Sequence, residues 1–163
     1  MALCLDDLGT KGDLDAALTT LGHPTMLIET SPGNYTGVWV YDTPVRDARM
    51  HAALVKGAVA RGLGDDLADT ARLMRLPAGW NSKEKVKAKN GGEPWPVRLD
   101  PARRFDMSAR FSAAELARAL GVDLSEDALL GVSVQASMDK GAANLNDPDA
   151  DPWLAALLEL GRV

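Results

Sequence analysis

Residues 25–41 read Thr25-Met26-Leu27-Ile28-Glu29-Thr30-Ser31-Pro32-Gly33-Asn34-Tyr35-Thr36-Gly37-Val38-Trp39-Val40-Tyr41, and this stretch decides the fold. Two β-rich runs, 25–29 and 35–41, flank a segment of turn formers. Pro32 brings a fixed φ and the Gly33-Asn34 pair the positive φ that a tight turn requires, so the segment is expected to be a hairpin. A hairpin is antiparallel by construction, and every other element has to be fitted around it.

Working outward towards the N-terminus, Leu3 and Leu5 alternate with Cys4 and Asp6 until Asp7-Leu8-Gly9-Thr10 breaks the pattern. This predicts a buried strand that ends in a loop at the acids. Alternation along a regular strand would turn Asp6 and Asp7 to opposite faces. Residues 13–21 are expected to form a short helix stopped by Gly22. Towards the C-terminus, Pro44 suits a first helical turn. Val45, Ala48, Ala52, Val55, Ala58 and Val59 follow at helical spacing before Gly62, which predicts a helix over 44–61. Residues 71–76 read as a strand, 77–96 as a loop and 96–99 as a returning strand. Ser112 with Glu115 is a capping box opening a helix that Gly121 closes. Residues 139–151 read as a linker and 152–160 as an amphipathic helix.

The fold class expected is α/β (α+β), a small, mostly antiparallel sheet packed with helices. The core is placed at 1–122 and a helical tail with linker at 123–163. Only five residues precede Asp6, so the chain is expected to start almost inside a strand, as if an upstream segment had been cut away.

Composition narrows the function. The 163 residues carry 18 Lys and Arg against 23 Asp and Glu, a net charge of -5, so no general electrostatic grip on nucleic acid is expected and any such contact must be local. The single Cys4 excludes an intrachain disulfide. Cys4, His23 and His51 are too few and too scattered for a structural zinc site. No apolar run reaches the roughly 18 to 20 residues of a membrane span and no secretory signal opens the chain, so no membrane partner is expected and the cytoplasm is the expected compartment. His23 reads as a loop residue and His51 as a helix-surface residue, and neither is assigned chemistry.

Three groups of residues can carry chemistry. Asp6 and Asp7 at a strand end are carboxylates of the kind that hold hard divalent cations beside phosphates. The turn around Ser31, Gly33, Asn34 and Thr36 exposes backbone N–H groups to a phosphate. The segment 69–83 packs Asp69, Arg72, Arg75, Asn81 and Lys83 around a short apolar run. If it is a strand, Asp69 and Arg75 share one face and Arg72 lies on the other. The loop carrying Lys83, Lys85, Lys87 and Lys89 reads either as a solvated excursion or as a track for a phosphate backbone. Trp80, inside the same segment, reads as a rim residue or a stacking platform for a base.

A strand ending in acids, a Ser-Pro-Gly-Asn-Tyr hairpin, a helix, and the run Asp69-x-x-Arg72-x-x-Arg75-Leu76-Pro77-x-Gly79-x-Asn81-x-Lys83 together resemble the RepB-like replicative primases of plasmids and phages, in the archaeo-eukaryotic primase-polymerase superfamily. The resemblance spans residues 3–99. It implies a sheet like the RNA-recognition-like half of those enzymes. It also implies two-metal nucleotidyl transfer with Mg2+ or Mn2+ held by Asp6, Asp7 and Asp69. Nucleotide or template phosphates would fall to Ser31, Gly33, Asn34, Thr36, Arg72, Arg75, Asn81 and Lys83. The implied partners are a single-stranded DNA template, nucleoside triphosphates and a replicative helicase.

Three departures accompany the resemblance. Thr36 stands where the superfamily commonly has a phosphate-contacting histidine, the acids are adjacent instead of Asp-x-Asp, and only five residues precede Asp6 where such cores usually carry an α/β segment, which is expected to have been cut away. The expectation is therefore weak or no synthesis from this chain alone. The alternative reading is a truncated, non-catalytic derivative that binds nucleic acid, nucleotide or a protein partner through the same scaffold.

Overall fold

The computed structural model describes residues 2–65 and 77–132. The expected strand 71–76, the linker 139–151, the helix 152–160 and the side chains of Asp69, Arg72 and Arg75 lie outside the described residues. In chain order the elements are β1 (Ala2–Leu8), α1 (Leu14–Leu21), β2 (Met26–Ser31), β3 (Asn34–Val40), α2 (Ala48–Ala60), β4 (Trp80–Asn81), α3 (Glu84–Lys89), β5 (Trp95–Pro96), β6 (Arg98–Leu99), α4 (Ala113–Leu120) and α5 (Glu126–Leu130). The expected α/β fold is what forms. β1, β3, β2 and β6 make a four-stranded antiparallel sheet in that order, and β4 pairs with β5 in a separate ribbon.

The hairpin is tighter than the sequence reading. Ser31 pairs with Asn34, which leaves only Pro32 and Gly33 as the loop. Gly33 alone takes positive φ, +69°, at the second central position, the combination a type II turn requires. Asn34, expected to share that conformation, is the first residue of β3.

On β3, Tyr35, Gly37 and Trp39 share one face, opposite Leu8, Leu5 and Leu3 of β1. These side chains join Leu14, Ala17 and Leu21 of α1, Leu54, Val55 and Ala58 of α2, and Leu116, Ala117 and Leu120 of α4 in one apolar core. Each fully buried leucine contributes about 1.5–3 kcal/mol of transfer free energy. The Trp39 ring lies across Gly37, where an added Cβ would sit 2.5 Å from the ring. Its indole N–H donates to the Gly22 carbonyl at 3.1 Å, so strand β3 is locked to the end of α1.

Local signals place α1 and α4 where expected. Asp13 accepts a hydrogen bond from the Ala16 N–H as N-cap, and Gly22 ends α1 with φ +76°. Ser112 and Glu115 form the reciprocal capping box, and Gly121 closes α4 in the left-handed conformation. The start of α2 differs. Residues 44–47 are not helical, because Asp47 caps the helix by accepting from the Arg49 N–H at 2.8 Å, and Pro44 lies upstream of that cap. His51 is not on the surface: it is 6% exposed, with Nδ1 3.3 Å from the Tyr41 hydroxyl, and burial lowers its pKa. The 77–96 stretch is not one loop, since β4, α3 and β5 all lie within it. α5, unread in the sequence, is capped by Ser125 and buries Leu129.

Candidate functional site

The strand does not end at the acids. β1 continues through them to Leu8 by means of a bulge. Leu5 pairs with Gly37 and Leu8 with Tyr35, so Asp6 and Asp7 together stand opposite the single residue Thr36. Asp7 takes φ +56°, a left-handed conformation that aspartate tolerates better than most side chains. Three residues apart, Leu5 and Leu8 can therefore both face the core. The two carboxylates between them are brought to the opposite face, an arrangement that a regular strand would not allow.

Thr36 and Asn34, which share that face of β3, hold them there. The Thr36 hydroxyl donates to Asp6 Oδ1 at 2.6 Å, and the Asn34 amide donates to Asp7 Oδ1 at 3.0 Å. The chain then folds back on itself. The Asp7 carbonyl accepts from the N–H groups of Thr10, Lys11 and Gly12, and Thr10 Oγ1 donates to the Asn34 side-chain oxygen. Gly9, with φ +83°, lies so close to the hairpin that an added Cβ would sit 2.5 Å from the Gly33 carbonyl oxygen. The turn at residues 9–12 and the hairpin turn thus form one rim beside the acids.

Lys11 is the residue the sequence reading missed. Its ammonium lies 3.0 Å from Asp7 Oδ2 and also pairs with Asp65. Asp65 comes there because the segment after α2 crosses this turn: the Asp13 N–H donates to the Gly62 carbonyl, and Gly12 packs on Gly64. The i, i+4 spacing of Asp7 and Lys11 was the available signal. Burial pushes the Asp7 carboxyl up, but the Asn34 amide and the Lys11 ammonium outweigh it and hold the group below the ordinary carboxylate range, with Lys85 adding to the effect. Hydrogen bonds to Asp65 and then Asp7 raise Lys11. Beside Lys11, an open groove of about 490 Å³ runs along residues 9–15 to Arg104.

The other expected site residues divide. Ser31 and Gly33 lie at the hairpin turn, and Thr36 is 7% exposed with its hydroxyl committed to Asp6. Asn81 is 4% exposed, and its amide donates to the Thr30 carbonyl at 2.7 Å, tying β4 to β2. Lys83 is exposed at the N-cap of α3. Asp69, Arg72 and Arg75 lie outside the described residues.

As a donor set, Asp6 and Asp7 offer two hard oxygen ligands on one face, which suits Mg2+ or Mn2+. By themselves they would make only part of a ligand shell: among the described residues no three His, Cys, Asp or Glu side chains gather as a metal site. Residues 1–127 match the family model described as the RepB DNA-primase N-terminal domain. No curated protein and no solved structure matches the chain.

Proposed function

The chain belongs to the RepB DNA-primase N-terminal domain family, which gives it a replication-related primase role, and from that premise we propose that Asp6 and Asp7 form the cation-binding edge of a nucleotidyl-transfer site completed by Asp69. The observation that carries this reading is the bulge. Without it one of the two acids would face the apolar core; with it both face outward beside Thr36 and Asn34.

In this reading Mg2+ or Mn2+ would supply charge neutralisation at a triphosphate and activation of the attacking hydroxyl. The protein's own part is positioning. Asn34 and Thr36 each hold one of the two carboxylates, which limits its search through rotamers. Thr36 acts on Asp6 and not as a replacement for a charged phosphate contact. Lys11 neutralises Asp7 when no cation is bound and becomes available for an anionic substrate group once a cation takes over that task. Arg72, Arg75 and Lys83 supply further positive charge for nucleotide and template phosphates, with Ser31 and Gly33 at the rim. Asn81 contributes by tethering. Template single-stranded DNA, nucleoside triphosphates and a replicative helicase are the partners, and the cytoplasm is the place of action. No helix among the described residues is long and apolar enough to cross a membrane.

A second reading has its own observation. The Lys11 ammonium already satisfies Asp7, as expected of a scaffold that binds without catalysing. Primer synthesis assayed with Mg2+ and with Mn2+ separates the two. Synthesis abolished by Asp69→Asn supports the catalytic reading, and its absence under both metals supports the non-catalytic one.

A further inference from the structure

The arm formed by β4, α3 and β5 exposes Trp80, Lys85 and Lys89, to which the nucleotidyl-transfer reading gives no role, beside Lys83, to which it does. Trp80 is 67% exposed, yet its backbone is held from several sides. It pairs with Pro96 while Asn81 pairs with Trp95, the Asn81 amide reaches the Thr30 carbonyl, and the Val97 N–H donates to the Gly79 carbonyl at 2.8 Å. α3 is anchored through Val86, 4% exposed, and the turn after it is closed by Asn90, whose amide donates to the carbonyls of Glu93 and Pro94. The indole is therefore displayed on a braced element, most of its surface open to water.

The segment that carries the indole is cationic. Residues 77–99 carry Lys83, Lys85, Lys87, Lys89 and Arg98 against only Glu84 and Glu93, in a chain of net charge -5. Lys87 is engaged with Glu84 at 2.8 Å and Arg98 with Glu29 at 2.9 Å, while Lys83, Lys85 and Lys89 are exposed. Lys85 and Lys89 stand one helical turn apart, on one side of α3. A single displayed indole on a segment this rich in exposed lysines is poorly suited to an apolar protein surface. It matches a ligand that alternates flat π-faces with negative charges.

We propose that this arm is a contact for single-stranded nucleic acid, in which a base stacks on Trp80 and adjoining phosphates lie along Lys83, Lys85 and Lys89. Stacking accepts every base, so the contact is indifferent to sequence. That the bound strand is a template rests on the primase reading; the contact itself does not.

The test is fluorescence anisotropy of a labelled oligo-dT with the whole chain, in EDTA and without nucleotide. EDTA makes the measurement independent of the acid pair, so a failure here and a failure of the catalytic reading are seen separately. Trp80→Ala should weaken binding about tenfold and Trp80→Phe much less. Replacing Lys83, Lys85 and Lys89 together by Gln should reduce the slope of log affinity against log salt by about 2. Melting temperatures of the variants should match the parent. Absence of oligo-dT binding by the parent at low salt, parental affinity in Trp80→Ala, or an unchanged salt slope in the lysine variant would overturn the proposal.

Discussion

The Thr36 hydroxyl and the Asp6 carboxylate lie 2.6 Å apart across β3 and β1, at the one point where two residues of β1 oppose a single residue of its neighbour. A hydroxyl donating to an ionised group is among the stronger hydrogen bonds, and here it fixes the side chain that the bulge has turned outward.

Thr36→Val keeps the shape and deletes the donor. Because Thr36 is 7% exposed and its bond is to a carboxylate, the variant should lose about 1–2 kcal/mol of stability in urea denaturation. Stability equal to the parent would mean that Asp6 is oriented by something else.

Gly37→Ala inserts a methyl group 2.5 Å from the Trp39 ring. The ring cannot retreat without breaking its bond to the Gly22 carbonyl, so a loss of about 1–3 kcal/mol and a blue- or red-shifted tryptophan emission are expected. An unperturbed melting curve would show that the core relaxes freely.

The Asp7 carboxyl is held below its ordinary value of 3.8 in the folded chain. A depressed folded-state pKa contributes stability that is fully present above the unfolded value and is lost as pH falls through the folded one. The parent should therefore lose stability on acidification below about pH 4, and Asp7→Asn should lose less over that interval. Asparagine also tolerates the left-handed backbone at this position, so the comparison isolates the charge. Identical slopes in the two proteins would remove Asp7 from the account of acid sensitivity.

Lys11→Met removes the ammonium paired with Asp7 and Asp65. If a cation and Lys11 compete for Asp7, Mn2+ should bind several-fold more tightly to this variant. Unchanged or weaker Mn2+ affinity would show that they do not compete.

What was readable in the sequence is what depends on neighbours in the chain. Asp13 with Gly22 bounds α1, Ser112 with Glu115 and Gly121 bounds α4, and Pro32-Gly33 turns the hairpin, all through backbone groups within a few residues. The bulge is different in kind. Nothing in Leu5-Asp6-Asp7-Leu8 states that two residues will face one, because that count is set by the register against β3; the i, i+3 spacing of the leucines was the only trace. His51 reads as a surface residue because its contact, Tyr41, lies ten positions away and outside α2. The two-residue strands of the arm exist through the tether from Asn81 to Thr30, a contact between residues 51 positions apart. The family was legible, and its match spans residues 1–127. The cation beside the acids was not, since Lys11 reaches Asp65 only after α2 has been packed.

The central claim, that the bulge gathers Asp6 and Asp7 into a cation-binding edge, is tested most directly by Mn2+ titration calorimetry on the parent chain, Asp6→Asn and Asp7→Asn, each checked for an unchanged fold by circular dichroism. The account predicts a saturable Mn2+ site in the parent that Mg2+ displaces, weakened at least about tenfold by either substitution, since each removes a charged oxygen ligand from a divalent ion. Mn2+ affinity that is the same in all three proteins would contradict it.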